Sequence, residues 1–129
     1  MLSNLRHYLA TLRDLAATPR EAFLGNPDKI GNAKYHLVIA VECCIDIANH
    51  VIASENYRFP SDNADSFTSL VEAGVLPRES EERLRAMARF RNRLVHLYSH
   101  VDDGRVYESL RDDLLDIDSS ASAIATRAW

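Results

Sequence analysis

Residues 30–52 read Ile-Gly-Asn-Ala-Lys-Tyr-His-Leu-Val-Ile-Ala-Val-Glu-Cys-Cys-Ile-Asp-Ile-Ala-Asn-His-Val-Ile. Leu37, Val38, Ile39, Val41, Ile45, Ile47, Val51 and Ile52 fall on nearly every side of a helix, and a helix that is apolar all round belongs in the interior. This segment is therefore the expected central strut. Its polar exceptions, Glu42, Asp46 and Asn49, recur at spacings of four and three and form one narrow strip. Such a strip either faces water or orients a polar group arriving from another helix. Cys43 and Cys44 are adjacent, so a disulfide between them would be strained, and both read as packing residues.

Working outward, Leu2, Leu5, Leu9, Leu12 and Leu15 recur every three or four residues and predict an amphipathic first helix ending near Thr18-Pro19. Residues 19–29 hold Pro19, Gly25 and Pro27 and read as a connection with a short turn around Glu21 to Leu24. Residues 57–65 read as a loop, residues 66–73 as a short helix closed by Gly74, and Pro77 marks a fresh start. From there a helix with Glu79, Glu81 and Glu82 in its first turns is expected to run to about His100. Asp103-Gly104 signals a turn, and a last helix covers about Val106 to Asp116, with a resumption through the Ser/Ala-rich end. No strand alternation and no repeat interrupts this pattern, which predicts an all-α fold.

A chain of 129 residues fits one domain with a real core. Its 47% apolar and 26% charged residues are those of an ordinary soluble protein, without a run of about 18 apolar residues or a signal-peptide core at the N-terminus, so a cytoplasmic location is expected. The net charge of −4 argues against coating nucleic acid by bulk electrostatics. Its distribution is more telling: residues 83–100 carry five Arg and no carboxylate, whereas residues 101–118 carry seven acids against Arg105 and Arg111.

The basic stretch contains Arg91-Asn92-Arg93-Leu94-Val95-His96-Leu97-Tyr98. Arg presents a planar fork of donors that holds phosphate, and His exchanges a proton near neutral pH, so the segment carries both tools for cutting an RNA backbone. At about 100° per residue, Met87, Phe90, Leu94, Leu97 and Val101 form the core-facing stripe, and Arg85, Arg89, Asn92 and His96 the polar face. Arg91 lies at the stripe's edge, about 140° from His96, and Glu42, Asp46 and Asn49 are its candidate partners. One undistorted helix does not bring the two together, so either the helix loosens near the motif or the site is built from two copies of the chain about a twofold axis. The second is favoured because a C2 dimer presents the same face twice.

Arg91-Asn92-x3-His96-Leu97-Tyr98, Glu42-x3-Asp46 and Phe67-x2-Leu70-x3-Gly74 together resemble the HEPN superfamily, specifically the HepT-like toxins of minimal-nucleotidyltransferase (MNT) toxin–antitoxin pairs. The resemblance implies one HEPN domain over residues 1–129, an antiparallel bundle of four to five helices that homodimerises, and a metal-independent endoribonuclease needing no cofactor. It maps the catalytic pair to Arg91 and His96, with Asn92, Glu42 and Asp46 in support. It also makes Tyr98 the position that a cognate MNT-type nucleotidyltransferase antitoxin modifies with AMP. Arg85, Arg89 and Arg93 are the expected RNA-phosphate contacts. The implied partners are RNA, a second copy and the antitoxin, with no DNA, membrane or metal. The rival reading is a non-catalytic module that binds nucleotide or substrate for a separately encoded nucleotidyltransferase; it would need Arg91 but have little use for His96. A purely structural dimerisation bundle is the third.

Overall fold

The computed structural model describes residues 2–97 and 100–128. Among them are seven α-helices and no strand: α1 Leu2–Ala16, α2 Arg20–Leu24, α3 Pro27–Glu55, α4 Asn63–Glu72, α5 Glu81–His96, α6 Asp103–Asp112 and α7 Leu114–Ala128, with a 3₁₀ turn at Arg78–Ser80 before α5. The all-α bundle is the architecture expected. The helix count exceeds four to five because the turn at Glu21 to Leu24 is a helix in its own right, pinned by fully buried Phe23, and because the C-terminal segment is two helices divided at Asp113.

The central strut spans 29 residues, about 43 Å. Pro27 sits in its first turn, the Asn26 side chain accepts from the Lys29 N–H, and Asn56 ends it in the left-handed conformation (φ 59°). Every other α-helix packs on it, α1 and α7 most extensively. Leu5, Leu9, Leu12 and Leu15 of α1 are buried as their spacing predicts. On α7, small residues permit close approach: Ser120 and Ala121 are buried, and the Ser120 hydroxyl lies 3.7 Å from the Cys44 thiol. Both cysteines are free, and burial pushes the Cys44 thiol up to about 11, so it is a packing group without reactivity.

Among the described residues, α3 is the one helix long and apolar enough to cross a membrane, with a window mean hydropathy of 1.7. No uninterrupted apolar run was expected, but a few polar residues still leave the average high. Half of that window is buried inside the bundle, which is where this apolar surface is spent.

Helix α4 begins at Asn63, three residues before its expected start, because the Asp62 carboxylate caps the Asp65 N–H. It closes through Gly74 (φ 79°), whose N–H bonds Val71 O while the Val75 N–H reaches Leu70 O, with Leu70 and Val75 both buried. The preceding loop is tied down by Arg58, which donates to Asp65 at 2.8 and 2.9 Å and to Glu72 at 2.7 Å.

Two boundaries differ near the motif. Helix α5 stops at His96 and not near His100: Leu97 leaves the helical region (φ −130°, ψ 39°). Leu97 is consequently 51% exposed and does not join the core, whereas Val101, beyond the helix, is buried. Helix α6 starts at Asp103 because Asp102 caps the Gly104 N–H, so the expected turn is a first helical turn. Gly104 is buried there, and a Cβ on it would come within 3.0 Å of the Arg20 guanidinium.

Candidate active site

Leu84, Met87, Ala88 and Leu94 fix the rotation of α5 by burial, and Arg91 shares their side of the helix. Its side chain is 18% exposed, deeper than the edge position expected from spacing. A charge held there needs partners. The Nη2 group donates to Glu42 Oε1 on α3, and Nη1 donates to Asn92 Oδ1 at 2.9 Å. Asn92, the polar residue after the Arg, thus steadies the guanidinium within its own helix. The Nε–H is buried and meets no protein acceptor.

Of the α3 strip, Glu42 alone takes up Arg91. Asp46 is exposed, and Asn49 Oδ1 accepts from the Ser66 hydroxyl at 2.7 Å, fastening α4 to α3. His96 is the last residue of α5 and is exposed. Arg93 and His96 occupy the final turn, where the helix dipole favours positive charge. Within one chain, then, the two expected catalytic groups occupy different settings, the guanidinium against α3 and the imidazole in solvent. Tyr98, the expected modification position, lies outside the described residues.

The three expected phosphate contacts also differ from one another. Arg89 and Arg93 are exposed, whereas Arg85 donates to the Thr68 hydroxyl at 2.7 Å and lies 4.0 Å from Asp65. Arg85 is therefore partly committed to holding α4. Together with Arg78, Glu81, Glu82 and Arg89 it lines an open groove at the start of α5. Two further residues near Arg91 were invisible to spacing arguments: Ser109 of α6 and Asp113 at the α6–α7 junction line the same small cavity as Arg91.

Comparison with known proteins places this sequence in a family. The family model described as "Ribonuclease HepT-like" matches residues 5–124. The chain belongs to the HepT-like ribonuclease family. Its HepT-like sequence is similar to the mRNA nuclease HepT of Shewanella oneidensis, 30% identical over 83 residues that make up 64% of this chain and 62% of that protein. The match therefore spans less than two thirds of the relative's length. The HepT-like fold superimposes on the tri-AMPylated HEPN toxin of Shewanella oneidensis in complex with its MNT antitoxin, with a TM-score of 0.87 and 22% identity over 97% of this chain and 93% of that one. A cytosolic protein of unknown function from Bacillus subtilis, YutE, matches with a TM-score of 0.79 and 17% identity over 97% of this chain and 86% of the other.

Proposed function

We propose that this HepT-like chain, one HEPN domain over residues 1–129, is a cytoplasmic toxin that cuts RNA without metal, acting as a homodimer. Arg91 and His96 of two subunits line its shared cleft. The observation that carries this reading is Arg91 itself: an Arg set into a helix–helix interface, oriented by Glu42 and Asn92, five residues before an exposed His at the helix end.

The reaction begins with attack of a ribose 2′-OH on the adjacent phosphorus. His96 of one subunit accepts the hydroxyl proton, and the bond from phosphorus to the 5′-oxygen breaks. His96 of the other subunit protonates that leaving oxygen, so the products are a 2′,3′-cyclic phosphate and a 5′-hydroxyl end. Arg91 stabilises the negative charge that builds on the phosphorane oxygens. Positioned proton transfer contributes about 10² to 10⁴-fold, and fixed positive charge a comparable factor. Glu42 is 40% exposed, so phosphate can compete with it for the Nη edge. Asn92 and Glu42 position Arg91; Arg89 and Arg93 supply phosphate contacts, with Arg85 contributing less. A cognate MNT antitoxin silences the enzyme by transferring AMP from ATP to the hydroxyl of Tyr98, two residues from His96 in sequence, with pyrophosphate leaving.

The separation of Arg91 and His96 within one chain also suits a non-catalytic RNA- or nucleotide-binding module. Titrating wild type with an excess of His96→Ala decides between them. A cleft that needs His96 from both subunits is dead in every mixed dimer, so cleavage falls as about the square of the wild-type fraction, whereas a site complete within one chain loses only in proportion. A binding module cuts nothing, wild type included.

A further inference from the structure

Arg91 has three hydrogen-bonding edges, and only two are taken. Glu42 and Asn92 hold the Nη groups; the Nε–H is buried without a protein acceptor. The residue lines a small cavity between α3, α5, α6 and the start of α7, whose walls are apolar except for Arg91, Ser109 and Asp113. Asp113, the C-cap residue of α6, is the carboxylate in that wall. Burial pushes its carboxyl up, against the opposing pull of Ser109 and of Arg105, and Asp112 and Asp116 push it further up. Arg105 approaches it to 4.0 Å and donates to the Ser109 hydroxyl at 2.6 Å. Holding a charge where burial disfavours it costs stability, which makes Asp113 a poor choice for packing alone.

We propose that Asp113 is a positioning residue for Arg91, facing its Nε edge across the shared cavity and holding the guanidinium plane once a substrate phosphate has displaced Glu42 from the Nη edge. The cavity has room for about one water, enough for a single bridge from the Nε–H to Asp113 and Ser109. Glu42 is the exchangeable outward partner, and Asp113 the permanent inward one. Without the inward partner, the long side chain regains rotamer freedom at the moment Glu42 leaves, and misplacement of this kind is expensive in rate. The role in turnover rests on the ribonuclease reading above; the link between the two side chains does not.

The test has two readouts. In the full-length protein without RNA, the Arg91 Nε–H NMR resonance should exchange with water at least about tenfold more slowly than those of exposed Arg89 and Arg93, and Asp113→Ala should abolish that protection. In RNA cleavage, Asp113→Ala should lower kcat by roughly 10- to 100-fold with KM within about twofold of wild type. Asp113→Asn keeps an acceptor of the same shape and removes the disfavoured charge. It should melt no lower than wild type at neutral pH and recover much of kcat; Asp113→Leu, which fills the space without an acceptor, carries the test should Asp113→Ala not fold. An Arg91 Nε–H unaltered in Asp113→Ala or Asp113→Leu overturns the proposal, as does undiminished kcat in either. A wild-type protein that cuts no RNA sinks the ribonuclease reading, while the NMR arm still decides whether Asp113 holds Arg91.

Discussion

Glu42 on α3 and Arg91 on α5, 49 residues apart in sequence, join the central helix to the helix carrying the Arg-x4-His motif. The pair is asymmetric, with Arg91 mostly covered and Glu42 40% exposed. Removing Glu42 leaves a covered charge short of a partner, which costs more than the pair's net contribution.

Glu42→Ala is therefore expected to destabilise the protein by roughly 1–3 kcal/mol, toward the lower end because Glu42 reaches solvent. The double variant Glu42→Leu with Arg91→Met removes both charges and should recover most of that loss. Thermal unfolding of the two variants checks this; a double variant as unstable as Glu42→Ala contradicts it.

Arg85, Arg89 and Arg93 look alike in sequence but are held differently. On single-stranded RNA, each phosphate that a side chain ceases to neutralise reduces the salt slope of log K by about 0.7. Arg89→Ala and Arg93→Ala should each show that reduction with an unchanged melting temperature. Arg85→Ala should leave the slope nearly intact and lower the melting temperature, because it breaks the hydrogen bond to Thr68 and the ion pair with Asp65. Fluorescence anisotropy across a salt series, paired with thermal melts, separates the two behaviours.

The hydrogen bonds from Arg58 hold the Asp65 carboxyl well below the usual carboxylate range, aided by the Ser61 N–H. A depressed carboxyl gives stability that is present above its unfolded-state value, about 3.9, and is lost as pH falls toward the folded value. Urea titrations should show stability declining below about pH 4, and Asp65→Asn should flatten that decline while lowering stability at pH 7. An unchanged acid slope in Asp65→Asn would remove Asp65 as the cause.

The parts of this fold that were legible are those governed by periodicity. Leu5, Leu9, Leu12 and Leu15 announce α1, and the near-continuous apolar character of Ile30 to Ile52 announces a buried helix. The end of α5 was not legible: Leu97 and Val101 continue the stripe numerically, and no Gly or Pro between Leu94 and Leu97 marks a stop. Tertiary context ends the helix at His96, and Leu97 turns outward as a result. The same limit applied to α6, where Asp102 caps a helix at a dipeptide that reads as a turn.

At the site, the requirement that Arg91 find a partner narrowed the search to Glu42, Asp46 and Asn49, and Glu42 is the one that meets it. Period alone could not choose among three residues on one strip; the register of α5 on α3 does. Asp113 stayed hidden because it lies among seven acids between residues 101 and 118, where nothing in the spacing marks which carboxyl lines the cavity beside Arg91.

Single-turnover cleavage of a defined RNA in excess EDTA, comparing wild type with Arg91→Ala and His96→Ala, is the decisive measurement for a site shared by these two residues. Wild type should cleave and leave 2′,3′-cyclic phosphate ends, with each variant slower by at least about 100-fold yet still binding RNA. His96→Ala cutting at the wild-type rate, or wild-type protein that binds the RNA and leaves it whole, would overturn the ribonuclease reading.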